Sequence, residues 1–324
     1  MTACMGFLQI GACLAGWRDS LKWGICVRPG MEPDQGDVVK VEVLKSLNED
    51  MILWRYMSLD KFINLLDDKG IYFAPLKAYH NSDPFEGYPP AVALKAMYSL
   101  SEKTFLQASN NLKMAEKIPK PWSPSVVAAI KELQEIVGSR KSRFKGVVDS
   151  LFKGTLVSCW YYSEHQSEAM WKLYGDQGKG IAVRTTVGKL KRALEQAVGN
   201  SRQKTIFIGK VKYVDYADAS ITPPDCTVDG HIIPLLKRIS YAHENEVRAF
   251  LSPDIDTSNI DQFEIKSFMA TCDVIGLIDG VYVSPYTNSP YIKAVQAVAR
   301  SFGLECPVEK SDLLSGEEDL FDFD

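Results

Sequence analysis

The sequence lacks the patterns that usually identify metal-binding, disulfide-bonded and membrane proteins. It has four histidines, and none is spaced from a cysteine or another histidine as metal ligands are. Its seven cysteines include no CxxC pair, which argues against a zinc ribbon or a disulfide framework and favours a reducing, cytoplasmic compartment. No apolar run approaches the roughly 18 residues of a membrane span, and no basic region precedes the apolar part of the N-terminus. We therefore expect no metal ion and no membrane contact.

Several catalytic and nucleotide-binding motifs are also missing. No GxGxxG follows the first predicted strand and no GxxxxGK[ST] occurs, so a Rossmann or P-loop fold is not expected. HExxH, GxSxG and the kinase motifs are absent as well. Any catalytic site must therefore be found from other combinations of residues.

The 324 residues have the composition of a folded protein and a net charge of −4. Five acidic residues lie in the last eight positions, so the rest of the chain is close to neutral and gives no overall electrostatic argument for a nucleic-acid partner. We predict an N-terminal extension over residues 1–48, one domain over 49–312 and an acidic tail over 313–324. The tail is either a solvated terminus or a segment that docks to a partner protein.

Predicted strands and helices alternate without a regular βαβ pattern. A block of helical periodicity over about residues 91–152 includes "WSPSVVAAIKELQEIV", which opens with Ser123 as N-cap and Pro124 at the first helical position. This block reads as a helical insertion in a β-containing body. We predict an α+β fold, a single elaborated domain with a mixed or antiparallel β core.

The stretch "SYAHENEVRAFL", residues 240–251, is the most unusual local pattern. If it is a strand, its side chains alternate between faces, so Glu244, Glu246 and Arg248 share one face and His243 lies on the other. Two carboxylates this close repel each other unless a positive charge lies between them or one keeps a proton. The face is either solvent-exposed or part of a site.

Three other clusters have both a structural and a functional interpretation. Arg55, beside Tyr56 on an early strand, is either a surface arginine or a phosphate ligand. Asp83 and Glu86, in "NSDPFEG", either shape a turn or belong to a site. An aromatic-rich segment either fills the core or forms a wall against which a nucleobase or nicotinamide ring stacks; its candidate residues are Ser158, Trp160, Trp171 and Tyr174.

Taken in order, these clusters resemble a bacterial family of domains of unknown function, family 2971. The resemblance covers about residues 50–312. It rests on Arg55-Tyr56, "NSDPFE", Ser-Cys-Trp, "MWKLYG", "GKGI", Tyr213 and the "HENEVR" segment. The family brings no established activity with it.

A weaker resemblance is to the ADP-ribosyltransferases of the Arg-Ser-Glu class. It implies that Arg55 contacts a phosphate of NAD and that the Ser158 strand shapes the nicotinamide pocket. It also implies that Glu246 stabilises the oxocarbenium-like ribose while Glu244 helps to place the acceptor. The Ser-Cys-Trp motif differs from the Ser-Thr-Ser pattern of that class. The fold would then be ADP-ribosyltransferase-like.

Three functional hypotheses follow. The first is an NAD-dependent transferase that acts on a protein or nucleic-acid acceptor, as a toxin or phage-defence effector would. The second is a non-catalytic interaction module of a defence or mobile-element system. The third is a Mg²⁺-dependent nuclease or hydrolase that uses Asp83, Glu86, Glu244 and Glu246.

Overall fold

A computed structural model describes residues 39–175, 178–197, 205–251 and 267–316. Most of the predicted N-terminal extension and residues 317–324 of the acidic tail lie outside these ranges. The helices are α1 (Leu59–Asp67), α2 (Ala91–Ala115), α3 (Pro124–Gly138), α4 (Arg140–Gly154), α5 (Glu168–Tyr174), α6 (Val187–Glu195), α7 (Val274–Leu277) and α8 (Ser289–Ser301).

Twelve strands are found in the described residues. They are β1 (Lys40–Val43), β2 (Ile52–Met57), β3 (Gly70–Pro75), β4 (Leu156–Tyr162), β5 (Ile181–Thr186), β6 (Thr205–Lys210), β7 (Lys212–Val214), β8 (Leu236–Arg238), β9 (Glu246–Leu251), β10 (Phe268–Thr271), β11 (Gly280–Val283) and β12 (Val308–Lys310).

Ten of these strands form one mixed sheet, in the order β1-β6-β9-β4-β2-β5-β11-β12, with β3 paired to β4 and β10. The β1–β6 and β11–β12 pairs are parallel and the other pairs of this sheet are antiparallel. Strands β7 and β8 form a separate parallel pair. The predicted α+β fold with a mixed β core is therefore confirmed.

Strand β9 lies between β4 and β6, and all six of its residues are buried. Val247, Ala249 and Leu251 belong to the main apolar cluster of the protein, whereas Phe250 packs in a second cluster with Val157 and Phe207. A strand buried on both sides has a continuous apolar sequence unless polar residues have partners. Glu246 and Arg248 are therefore polar exceptions within a core strand.

The sheet opens beside the middle of β4. Strand β2 pairs with β4 only at Leu53↔Tyr162 and Trp54↔Tyr161, whereas β3 pairs with it at Ala74↔Val157 and Pro75↔Leu156. Residues 158–160 lie between these two pairings. Helix α1 connects the diverging β2 and β3, and it places Phe62, Leu65 and Leu66 in the main core.

Three details differ from the sequence-based expectations. Residues 240–251 are not one strand: Ile239–Glu244 is a 3₁₀ helix and β9 begins at Glu246. Asn245 between them has φ 36° and ψ 54°, a left-handed conformation that asparagine tolerates better than most residues. The segment "KTIFIGKVKYVDY", whose β-branched and aromatic residues predict one long strand, is divided into β6 and β7 at Val211.

The third difference concerns the N-terminal boundary, which was predicted at residue 48. Strand β1 precedes that boundary and pairs along its whole length with β6. Val41 also belongs to the main apolar cluster.

Gly87 joins the loop that carries Glu86 to the segment before α2, and its φ is +81°. A Cβ atom there would lie 2.0 Å from Phe152 Cδ2. We predict that Gly87→Ala destabilises the fold by about 2–4 kcal/mol, through backbone strain and overpacking together. Thermal unfolding measures the effect.

Gly230→Ala is the matched control. Gly230 has nearly the same φ, +85°, but no atom within 4 Å of an added Cβ. The control should therefore show only the strain of a left-handed residue, about 1 kcal/mol. Equal losses for the two variants would contradict the predicted contact with Phe152.

Candidate functional site

A cavity of about 660 Å³ lies where β2 and β3 diverge, a size typical of small-molecule sites. Strand β2 contributes Arg55 and Tyr56, β4 contributes Cys159, Trp160 and Tyr161, and β3 contributes Gly70 and Tyr72. Helix α1 and helix α5 add further residues, among them Lys61, Asn64 and Tyr174. The divergence of the two strands therefore creates the space, and their facing residues line it.

Five buried charged side chains form an ion cluster on one wall of this cavity: Glu86, Lys237, Glu244, Glu246 and Arg248. All five line the cavity. With every group ionised, three carboxylates face two cations, so the ion cluster has one excess negative charge. Buried charges are tolerated when they are paired and hydrogen-bonded, and this is the arrangement observed.

Lys237 lies at the centre of the ion cluster. Its Nζ is 2.7 Å from Glu246 Oε1 and 3.4 Å from Glu86 Oε2, and it also donates to Glu244 Oε2. Burial alone would lower the pKa of Lys237, but the Glu246 and Glu86 carboxylates more than offset this and raise it. Lys237 is therefore a cation in the folded protein, and it is not available as a neutral amine nucleophile.

Arg248 completes the ion cluster from the other side. Its Nε donates to Glu246 Oε2 at 2.5 Å, and its Nη1 donates to Glu86 Oε1 at 2.9 Å and to the Pro234 carbonyl at 3.0 Å. The arginine is only 1% exposed. It thus ties β9 to the loop of Glu86 and to the segment before β8.

Glu244 and Glu246 have opposite pKa shifts. Burial raises the pKa of Glu244 to about 7, and its hydrogen bond with Glu246 and the repulsion from that carboxylate add to this effect. For Glu246, burial also favours the neutral form, but the charge of Arg248, the hydrogen bond from Glu244 and the charge of Lys237 lower its pKa below the usual range. Glu246 is therefore ionised at neutral pH, while Glu244 exchanges a proton near pH 7.

Arg55 contributes a different kind of charge to the cavity. Within the described ranges it has no salt bridge to a carboxylate, and its guanidinium lies 5.4 Å from the centroid of the Trp160 ring. Its buried surroundings lower its pKa, although an arginine keeps its charge at neutral pH. The indole N–H of Trp160 is also buried and finds no acceptor among the described residues. Arg55 is therefore a cation of the cavity lining that no carboxylate of the described residues neutralises.

Most of the residues singled out from the sequence meet at this cavity. Arg55, Tyr56 and Trp160 come from two strands, and Tyr174 comes from α5, where its hydroxyl donates to Glu244 Oε1 at 3.1 Å. The charged residues from the loop and from the 240–251 stretch that also line it are Glu86, Glu244, Glu246 and Arg248. The left-handed residue Asn245, between the 3₁₀ helix and β9, lets Glu244 and Glu246 face the same space although they belong to different elements.

Four candidates do not line the cavity. Ser158 is buried, pairs with Ala249 in the core, and its hydroxyl has no hydrogen-bond partner among the described residues. Trp171 lies behind Tyr56 with its ring edge-on at 4.9 Å. Asp83 accepts from Arg238 at 2.6 Å and from the Phe85 N–H, which shapes the loop turn. His243 is exposed and stacks on Tyr241.

Lys237, Tyr79 and Tyr241 also line the cavity, although no sequence pattern had singled them out. Lys237 could have been noticed as a lysine directly after the apolar run "IIPLL", where a charge is costly without a partner. Nothing in the sequence paired it with Glu86, which is far away along the chain.

Cys159 also lines the cavity, but it is poorly suited to act as a nucleophile. Burial, together with the Glu246 charge, raises its pKa to about 12, so the thiolate is scarce at neutral pH. A thiol in this state packs as a small hydrophobic residue.

Three of the carboxylates proposed for Mg²⁺ surround the ammonium group of Lys237, which occupies the position that a cation would take. The fourth, Asp83, pairs with Arg238. Across the described ranges, no group of His, Cys, Asp and Glu is arranged to hold a metal ion. This arrangement does not favour the Mg²⁺-dependent hypothesis.

Comparison with known proteins gives one match. A family model described as "Protein of unknown function (DUF2971)" matches residues 170–249, from α5 to β9. The segment includes Tyr174 and the whole ion cluster except Glu86. The match supports the first of the two resemblances noted in the sequence. No curated protein and no solved structure matches the chain. Among the helices in the described ranges, none has the length and apolar character that a membrane span requires.

The raised pKa of Glu244 predicts a pH-dependent stability. Because the folded state holds this proton more tightly than the unfolded state, the contribution of Glu244 is present at pH 4 and is lost as the pH rises through about 7. Glu244→Gln cannot titrate, so its melting temperature should improve relative to the wild type as the pH is raised from 5 to 8. Differential scanning fluorimetry across this range measures the change.

Glu168→Gln is the control, because Glu168 is exposed and its pKa is lowered by the hydrogen bond from Lys172. That group stays ionised throughout the range, so its variant should follow the wild-type profile. A Glu244→Gln profile parallel to the wild type would mean that Glu244 does not titrate near pH 7.

Proposed function

We propose that the protein is an NAD-dependent, ADP-ribosyltransferase-like enzyme that acts on a macromolecular acceptor. The observation that carries this proposal is the presence of two differently charged groups in one aromatic-lined cavity. One is Arg55, which has no carboxylate partner in the described ranges, and the other is the ion cluster with its excess carboxylate.

NAD has a charge distribution that complements these two groups. Its diphosphate is an anion suited to the planar guanidinium of Arg55, and its nicotinamide is a positively charged ring. Trp160, Tyr56 and Tyr174 supply aromatic surface along the same cavity, and stacking on such rings is a common way to hold flat heterocycles. The pairing of charges favours one orientation, with the phosphates at Arg55 and the nicotinamide ribose toward Glu246.

The chemistry requires stabilisation of a cation. When the bond between the ribose C1′ and the nicotinamide nitrogen breaks, the electron pair stays on nitrogen and positive charge develops on the ribose. A fixed negative charge in a water-poor site stabilises that transition state, and Glu246 supplies one. An acceptor oxygen or nitrogen then bonds to C1′, and its proton passes to the Glu244 carboxylate, which is basic near pH 7.

The ion pairs of the site favour one alternative function, a non-catalytic binding module. Every carboxylate of the ion cluster contacts Lys237 or Arg248, and such a set of pairs would also serve a module that binds its ligand without converting it. Binding of NAD without turnover would support that second function. The experiments below separate the two.

Arg55→Ala should weaken NAD binding by about 10–100-fold, because one charge-assisted interaction with phosphate is worth roughly 1.5–3 kcal/mol. Isothermal titration calorimetry with NAD measures the loss. Arg184→Ala is the matched control: Arg184 is also half-buried, lies on the adjacent strand β5 and does not line the cavity. Absence of NAD binding by the wild type at millimolar concentration would refute the proposal.

Glu246→Gln should lower NAD turnover by about 100-fold or more while NAD binding changes much less, because the lost charge acts mainly in the transition state. Release of nicotinamide, followed by chromatography, measures turnover. The folded state of the variant is checked by its circular dichroism spectrum. A folded variant with full turnover would assign the chemistry to another group.

A further inference from the structure

Lys237 differs from the other members of the ion cluster because it contacts all three carboxylates. It lies on the three-residue strand β8, and only 8% of its side chain is exposed. Its partners come from three places along the chain: the loop before α2, the 3₁₀ helix at Ile239–Glu244, and β9. One ammonium group therefore fixes the relative positions of all three carboxylates.

Lysine suits this position better than arginine. An ammonium group is a compact charge with three donors that can point to three separate acceptors, whereas a guanidinium is planar and favours one bidentate partner. The same site shows the contrast: Arg248 reaches Glu86 and Glu246 but has no contact with Glu244 in the described structure.

Glu244 depends on Lys237 more than Glu246 does. Glu246 keeps Arg248 as a second cation, and its backbone N–H donates to the Tyr213 hydroxyl. Among the residues that the structure describes, Lys237, the Glu246 carboxylate and the Tyr174 hydroxyl face Glu244, and only Lys237 is a cation. Without Lys237, two carboxylates would face each other with no positive charge between them.

We propose that Lys237 is a positioning residue, whose ammonium group holds the Glu244 and Glu246 carboxylates in one fixed contact at the cavity wall. Its consequence for catalysis rests on the proposed function, because it acts through the two carboxylates rather than on the substrate. Lys237 holds Glu244 beside an ionised Glu246. In the proposed reaction, Glu244 then takes the proton of the acceptor, while Glu246 stabilises the positive charge on the ribose.

The test uses Lys237→Met and a readout that needs no catalysis. Carbon-13 NMR of side-chain-labelled glutamate follows each carboxyl through a pH titration, and the Glu244 signal is the one lost in Glu244→Gln. Because Lys237 lowers the pKa of Glu244, its removal should move the titration midpoint upward by about one pH unit or more. Lys212→Met, an exposed lysine on the paired strand β7, should leave the midpoint unchanged.

A second variant keeps the proposal testable if Lys237→Met does not fold. Lys237→Met combined with Glu86→Gln removes one cation and one carboxylate, so the ion cluster keeps the net charge of the wild type. The Glu244 midpoint should rise in this double variant as well. An unchanged midpoint in either folded variant would overturn the proposal.

Turnover gives the second readout and separates the two proposals. If the wild type cleaves NAD, Lys237→Met should lower kcat about 10-fold or more while KM for NAD changes less than about threefold. Lys237→Arg should restore only part of the loss. If Lys237→Met turns over NAD as fast as the wild type, the positioning role is rejected and the proposed function stands. If the wild type does not turn over NAD, the proposed function is rejected. The NMR titration then decides by itself whether Lys237 holds the two carboxylates.

Discussion

The contact of Lys237 and Arg248 with three buried carboxylates is the interaction on which the site depends. Removing one partner of a buried ion pair leaves a charge without water or a counter-charge, which costs about 3–5 kcal/mol. The five side chains come from the loop before α2, from β8, from a 3₁₀ helix and from β9. The need to pair these charges therefore holds four segments in one arrangement around the cavity.

The divergence of β2 and β3 has an equally direct consequence. Strand β4 pairs with each of them over two residues only, and α1 spans the gap between them. An uninterrupted sheet would fill this space with cross-strand contacts. Here the space remains a cavity, with Arg55 and Trp160 on its wall. The cavity thus combines Arg55, a cation without a carboxylate partner in the described ranges, with an ion cluster that buried residues hold in place.

Parts of this arrangement were predictable. The period-two pattern around Glu246 placed Glu246 and Arg248 on one face of a strand, and Ser123 followed by Pro124 marked the start of α3. The strand was predicted to begin too early because the left-handed turn at Asn245 depends on its bond to the Tyr162 carbonyl, a contact distant in sequence. The sequence left Trp171 and Ser158 open between cavity wall and core, because residue type alone cannot tell a wall from the core directly behind it.

Local sequence determined the elements and the chemical character of the site: an arginine on an early strand, aromatic residues on β4 and α5, and two carboxylates one residue apart. Only the tertiary structure brought Lys237 and Glu86, about 150 residues apart in sequence, into contact. It also decided which carboxylate is ionised, because a pKa depends on burial and on the charges that surround the group in space. Secondary structure follows from residues that are close along the chain, whereas the pKa values at the site depend on residues that are close in space but distant in sequence.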